Sequence, residues 1–206
     1  MQLIGMLDSP YVRRVAVAML SAGVVFEHRP ISLFRHIEAF SQLSPLLKAP
    51  SLIAEDGAVL VESGVILEYL ATRSPVLAAL RPKGLPAFRA LGVALTVMEK
   101  AVQAHYERVL RGPGERSESW RERVMGQLGA GLAALERAAP QDWFETSPGH
   151  ADIAVACAWG FIQGLLADVV AAQAYPRLGA FSARAEALPA LRAAPAIDGV
   201  TVEVLR

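Results

Sequence analysis

Between Gln2 and Ser74 the chain switches twice between strand-like and helix-like spacing, in an order that narrows the choice of fold sharply. Gln2 to Met6 is a short apolar run. Tyr11 to Ala22 carries apolar residues at helical spacing until Gly23 stops it, and Val24 to Arg29 reads as a second strand. Ahead of Pro50 the pattern is helical. Ser51 to Ala54 and Val59 to Glu62 then flank a hairpin turn at Glu55-Asp56-Gly57, and Gly64 to Ser74 returns to helical spacing. A β-α-β unit is thus followed by a β-β-α unit.

Beyond the Pro- and Gly-rich link Arg81-Pro82-Lys83-Gly84-Leu85-Pro86 every periodic segment is helical. Ala87 to Arg111 places Leu91, Leu95, Met98, Val102, Tyr106 and Val109 near helical spacing, and Gly112-Pro113-Gly114 ends it. Ser117 to Ala138 follows, with Gly126, Gly129 and Gly131 as candidate points of close helix packing. An apolar helix is expected at His150 to Ala167, with shorter ones at Pro176 to Ala187 and Pro189 to Ala193. Asp152, three residues after Gly149, is expected to cap the apolar helix and to do no chemistry. The expected division is 1–77, a linker 78–86, and 87–206, and 206 residues with 53% hydrophobic content suffice for two small cores.

Three segments of the first half carry chemistry. Ser9-Pro10-Tyr11-Val12-Arg13-Arg14 puts a hydroxyl at the start of a helix, Ala49-Pro50 opens a strand, and Glu62-Ser63-Gly64 offers a carboxylate and a hydroxyl at the start of another helix. Each also has a plain structural use: a Ser cap before Pro at the first helical position, an ordinary turn, and an acidic residue near the positive end of a helix dipole.

In that order the segments resemble the cytosolic glutathione S-transferases, in which Ser, Tyr or Cys begins the first helix, a cis-Pro opens the third strand, and an acidic residue followed by Ser opens the third helix. Ser44-Pro45-Leu46-Leu47-Lys48-Ala49-Pro50 is similar to the family's Asn-Pro-x-Gly-Lys-Val-Pro stretch, with Leu47 in place of Gly. A Gly there serves a backbone angle, so Leu47 is expected to need a different local path. The resemblance implies an α/β thioredoxin-like N-terminal domain plus an all-α C-terminal helical domain. It implies a glutathione transferase in which Ser9 and the helix N-terminus hold the glutathione thiol as thiolate, for attack on a small hydrophobic electrophile. Glu62 would meet the α-amino group of glutathione, Ser63 the α-carboxylate, Ala49 and Pro50 the cysteinyl backbone, and Lys48 and His36 the glycyl carboxylate. Tyr11, His105 and Tyr106, with Trp159 or Phe161, would face the electrophile, and a homodimer is the family expectation. A non-catalytic protein of the same fold, and a glutathione-dependent isomerase, dehalogenase or peroxidase, are the alternatives. The isomerase ranks lower because the zeta-type Ser-Ser-Cys stretch is absent.

Composition removes other classes. A formal net charge of zero and the absence of a dense Lys/Arg run beyond Arg13-Arg14 argue against nucleic acid. No run approaches the ~20 apolar residues of a membrane span, and no basic-then-apolar leader opens the chain, so a cytoplasmic protein is expected, to which the resemblance adds a role in detoxification. One cysteine, Cys157, inside an apolar run is expected to be buried and inert. His28, His36, His105 and His150 show no metal-binding spacing, so no metal is expected.

Overall fold

The computed structural model describes residues 1–199 and divides the chain into two compact units. The first comprises Met1–Arg81 together with residues 186–199, and the second Pro82–Ala185.

In the first unit, β1 (Gln2–Ile4), α1 (Pro10–Ser21) and β2 (Glu27–Arg29) form the β-α-β unit. After α2 (Ile37–Leu43), β3 (Ser51–Ile53), β4 (Val59–Val61), α3 (Ser63–Arg73) and α4 (Pro75–Ala79) complete the β-β-α unit and add a helical turn. The sheet order is β2-β1-β3-β4, with β1 parallel to β2 and antiparallel to β3, and β3 antiparallel to β4. This is the thioredoxin-like half of the expected fold.

The strands are shorter than the apolar runs that announced them, for a local reason. Gly5 has φ +132°, which turns the chain out of the sheet, and a Cβ there would lie 2.6 Å from Val12 Cγ2 of α1. Only glycine suits both demands. At the other end of α1, Val24 N donates to Met19 O and Val25 stands exposed, so the first residues of the expected second strand form the helix exit instead. His28 of β2 is buried with Nε2 2.8 Å from Gly5 O. Burial lowers its pKa, against the opposing pull of that bond.

The C-terminal segment departs from the expected 87–206 domain, whose last residues, 200–206, lie outside the described residues. Arg13, buried in the first turn of α1, explains the departure. Its Nη1 and Nη2 donate to the two carboxylate oxygens of Glu186 at 2.7 and 2.6 Å, its Nε to Ala194 O at 2.7 Å, and its Nη2 to Leu191 O at 3.3 Å. These acceptors lie on and around α9 (Pro189–Ala193), which packs on α1. The expected linker 78–86 is also shorter. Ser74 caps α4 by accepting from Leu77 N at 3.3 Å, and the next helix begins at Leu85.

The second unit is helical: α5 (Leu85–Val109), α6 (Glu118–Ala138), α7 (His150–Leu165) and α8 (Pro176–Glu186). Helices α6 and α7 both pack on α5. Of the three α6 glycines, Gly131 alone marks a close approach: a Cβ there would lie 2.6 Å from Val97 Cγ2, whereas Gly126 and Gly129 have nothing within 4 Å. Carboxylates cap three helices in this unit. Glu145 accepts from Lys83 N and Gly84 N ahead of α5, Glu136 accepts from Arg177 N and Leu178 N at the start of α8, and Asp152 accepts from Gly149 N and Phe144 N at the start of α7. Cys157 is buried on α7.

Asp152 is 2% exposed, and burial pushes its carboxyl above the usual carboxylate value against the backbone bonds from Gly149, Phe144 and its own N–H that lower it. Asp152→Ala is expected to cost about 1 kcal/mol or more in urea unfolding, through loss of the cap. Because the folded-state pKa is raised, the folded protein holds more protons than the unfolded one there. Its stability therefore falls as pH rises from the ordinary carboxylate pKa through the raised folded one. Asp152→Asn should flatten that slope. The same slope in the Asn variant would assign it to another group.

Candidate functional site

Strand register gathers the sequence candidates of the first unit at one end of its sheet. Ile4 pairs with Arg29 and with Ser51, and Ser51 pairs with Val61. One residue further out the same register brings Gly5, Pro30, Pro50 and Glu62 level with one another. The β1–α1 turn with Ser9, the β2–α2 connection with His36, the Lys48-Ala49-Pro50 approach to β3 and the β4–α3 junction with Glu62-Ser63 therefore all open from that end. Ala49 also packs near the turn, its Cβ 3.2 Å from where a Cβ on Gly5 would stand.

Ser9 is the N-cap of α1, with Pro10 at the first helical position. Its Oγ accepts from Val12 N at 3.4 Å, and its backbone C=O accepts from Arg13 N at 2.9 Å. A hydroxyl has one proton besides its two lone pairs, and among the described residues no acceptor takes the Ser9 proton. The cap thus offers an O–H donor beside the positive end of a twelve-residue helix.

Glu62 caps α3 from a left-handed backbone, φ +73°, where Oε2 accepts from Gly64 N at 2.9 Å and Val65 N at 3.1 Å. The Ser63 hydroxyl donates to Glu62 Oε1 at 3.3 Å and accepts from Arg14 Nη1 at 3.0 Å. Ser63 is 1% and Arg14 3% exposed. Sequence reasoning counted Arg13 and Arg14 only as a short basic run. Two arginines directly ahead of the apolar run Val15-Ala16-Val17-Ala18-Met19-Leu20 are the signal that both are buried and engaged.

The Ala49–Pro50 peptide is cis and Pro50 is buried. The Ser51 hydroxyl, 2.6 Å from Lys48 O and 2.9 Å from the Ser44 hydroxyl, fixes the approach to β3. Lys48 and His36 are exposed, and His36 sits at the start of α2 with Nδ1 accepting from Ser32 N at 3.3 Å. Its neighbour Arg35 makes a two-pronged ion pair with Asp198, which holds that carboxyl below the usual range. Tyr11 is half-buried in the first turn of α1.

Leu47 itself stands at a backbone angle that favours glycine. It keeps a left-handed backbone, φ +49°, with its side chain partly exposed. An L-residue there costs about 1–2 kcal/mol, and a glycine costs about 0.5–1 kcal/mol in unfolded-chain entropy. Leu47→Gly is therefore expected to leave stability unchanged or raise it by up to about 1 kcal/mol. A lower urea midpoint in the variant would show that the leucine side chain stabilises the turn.

His105 and Tyr106 belong to α5 of the second unit. The His105 ring lies 5.9 Å from that of Phe161, edge to face, and 6.1 Å from that of Tyr106. Trp159 and Phe161 are buried on α7, and Trp159 stacks edge-on with Tyr175 at 6.0 Å. Among the described residues no group of three His, Cys, Asp or Glu side chains could hold a metal ion, and no helix is long and apolar enough to cross a membrane.

The family model for the glutathione S-transferase N-terminal domain matches residues 3–86, and that for the glutathione S-transferase C-terminal domain matches residues 118–184. The chain belongs to the glutathione S-transferase family. This transferase is 32% identical over 194 residues to maleylacetoacetate isomerase of Pseudomonas aeruginosa, covering 88% of the chain and 89% of that relative. It is similar to a glutathione S-transferase of Methylobacterium radiotolerans solved in complex with glutathione sulfonate, with TM-score 0.84, 27% identity, and coverage of 93% of this chain and 92% of that one. A Methylobacillus flagellatus glutathione S-transferase solved with glutathione bound matches at TM-score 0.84 and 28% identity, covering 94% of this chain and 98% of that one. The thioredoxin-like first unit and helical second unit of the transferase are those of the family.

Proposed function

We propose that this transferase binds glutathione at the sheet end of its first unit and holds the thiol as thiolate for attack on a small hydrophobic electrophile. The observation that carries the proposal is Ser9: an N-cap hydroxyl whose proton no described residue takes. A free thiol has a pKa near 8.5 and attacks only as thiolate. A hydroxyl donor and a helix N-terminus both favour the anion.

The rest of the peptide is matched to the same end of the sheet. The γ-glutamyl α-amino group meets the Glu62 carboxylate, and its α-carboxylate meets Ser63 and the α3 N-terminus. The cysteinyl backbone pairs with Ala49 ahead of Pro50, in the manner of an added strand. The glycyl carboxylate is answered by Lys48 and His36. The electrophile is assigned to Tyr11, His105 and Tyr106. A homodimer, a cytoplasmic location and a role in detoxification complete the proposal. The exposed Val59 on edge strand β4 and Val65 on α3 supply apolar surface for a twofold contact. Light scattering that gave a monomer at micromolar concentration would remove the dimer.

A second reaction is favoured by the 32% match to maleylacetoacetate isomerase. In that case the same thiolate adds to an unsaturated substrate and leaves again after rotation, so the glutathione site is common to both readings. Calorimetric titration with reduced glutathione, comparing wild type with Glu62→Ala/Ser63→Ala, tests the site. Saturable binding that the double variant loses is expected. Absence of binding by wild type would favour a non-catalytic protein of this fold, and parallel assays of a haloaromatic and of maleylacetoacetate separate conjugation from isomerisation.

A further inference from the structure

Arg14 is a buried cation on the same helix as Ser9, five residues on, or roughly 7.5 Å along the axis. Its Nη1 donates to the Ser63 hydroxyl at 3.0 Å, and that hydroxyl has Glu62 Oε1 at 3.3 Å. We propose that Arg14 is a positioning residue for the γ-glutamyl end of glutathione, acting through the Ser63 hydroxyl. The assignment rests on the glutathione reading above and names the side chain that sets its carboxylate specificity.

A hydroxyl offers one proton and two lone pairs. The guanidinium does not deprotonate in a protein, so one lone pair of Ser63 is occupied at every working pH. With that lone pair committed to a cation, the hydroxyl proton points away from Arg14 and is more strongly donated, because charge-assisted bonds polarise their neighbours. Two acceptors compete for it: Glu62 Oε1 without ligand, and the ligand α-carboxylate with it. Arg14 thereby turns Ser63 from a hydroxyl of either polarity into a donor for a carboxylate. Because Ser9 and Arg14 share one rigid helix, the thiol-binding and glutamyl-binding groups are also held at a fixed spacing.

The test compares two ligands by calorimetry: glutathione, and 4-aminobutyryl-cysteinyl-glycine, which keeps the amino group and lacks the α-carboxylate. Wild type should prefer glutathione by at least tenfold. In Arg14→Met and in Ser63→Ala that preference should shrink about tenfold, and the double variant should lose no more than either alone, since both remove one hydrogen-bonded unit. Arg14→Lys, which retains a cation at the site, should keep an intermediate preference, and it replaces Arg14→Met if circular dichroism shows the latter unfolded. A purely structural arginine would weaken both ligands alike. A wild-type preference ratio in any folded Arg14 variant would overturn the assignment while leaving the glutathione site standing. Failure of wild type to bind glutathione would overturn the two together.

Discussion

Replacing Ser9 with Gly is expected to lower glutathione conjugation at neutral pH by about 10- to 100-fold while hardly changing stability. A hydrogen bond to a charged group contributes about 1.5–3 kcal/mol, and 1.4 kcal/mol corresponds to one pKa unit of the bound thiol. Gly is the informative replacement because Ser9 also caps α1, accepting from Val12 N. Ala at an N-cap costs about 1 kcal/mol, whereas Gly costs a few tenths. The effect has a pH signature with a fixed sign. Removing the donor raises the thiol pKa, so the deficit should be largest below pH 7 and should close above about pH 9, where even an unassisted thiol is ionised. The ultraviolet absorbance of the bound thiolate, titrated with pH, reads the same shift without any electrophile. If Ser9→Gly leaves that titration where it was, another donor activates the sulfur.

Arg13→Ala should destabilise the first unit by about 3 kcal/mol. The side chain is 2% exposed and donates to the Glu186 carboxylate and to the carbonyls of Leu191 and Ala194. Removing one partner of a buried pair costs about 3–5 kcal/mol when the other stays buried. Glu186 is 36% exposed and can regain water, which places the expected value at the low end. The two stranded carbonyls and the cavity add to it. Urea unfolding followed by circular dichroism should show the drop, and limited proteolysis should cut near Pro189–Ala193 sooner in the variant than in wild type. Equal midpoints would mean that α9 is held by its apolar contacts alone.

Ser9, Pro50, Glu62 and Ser63 could be named from the sequence because each marks an element boundary, and boundaries are set by local chemistry: a cap, an X-Pro bond, an acidic residue at a helix start. The helical second half was equally plain, since α5, α6 and α7 are long enough for their spacing to repeat. The short helices were harder to see. Phe40 is the one buried residue of α2 and Leu77 that of α4, so neither segment carries a repeating apolar face. Arg13 and Arg14 escaped for a different reason. The acceptors named above lie 173 to 181 residues away for Arg13 and 49 for Arg14, and no local spacing announces a contact at such separation. At Leu47 the steric preference of an L-residue is overridden by the surrounding turn, at a cost of about 1–2 kcal/mol.

The return of α9 to α1 also orders events on the ribosome. Arg13 is polymerised 173 residues before Glu186, an interval of roughly 9–35 s at typical elongation rates of about 5–20 residues per second. Throughout that time the acceptors Glu186, Leu191 and Ala194 have not been made. The half of the protein encoded first is thus the half finished last. A message truncated between Arg81 and Glu186 would yield a first unit whose helix α1 lacks these acceptors, a natural substrate for chaperones and proteases rather than a half-functional enzyme.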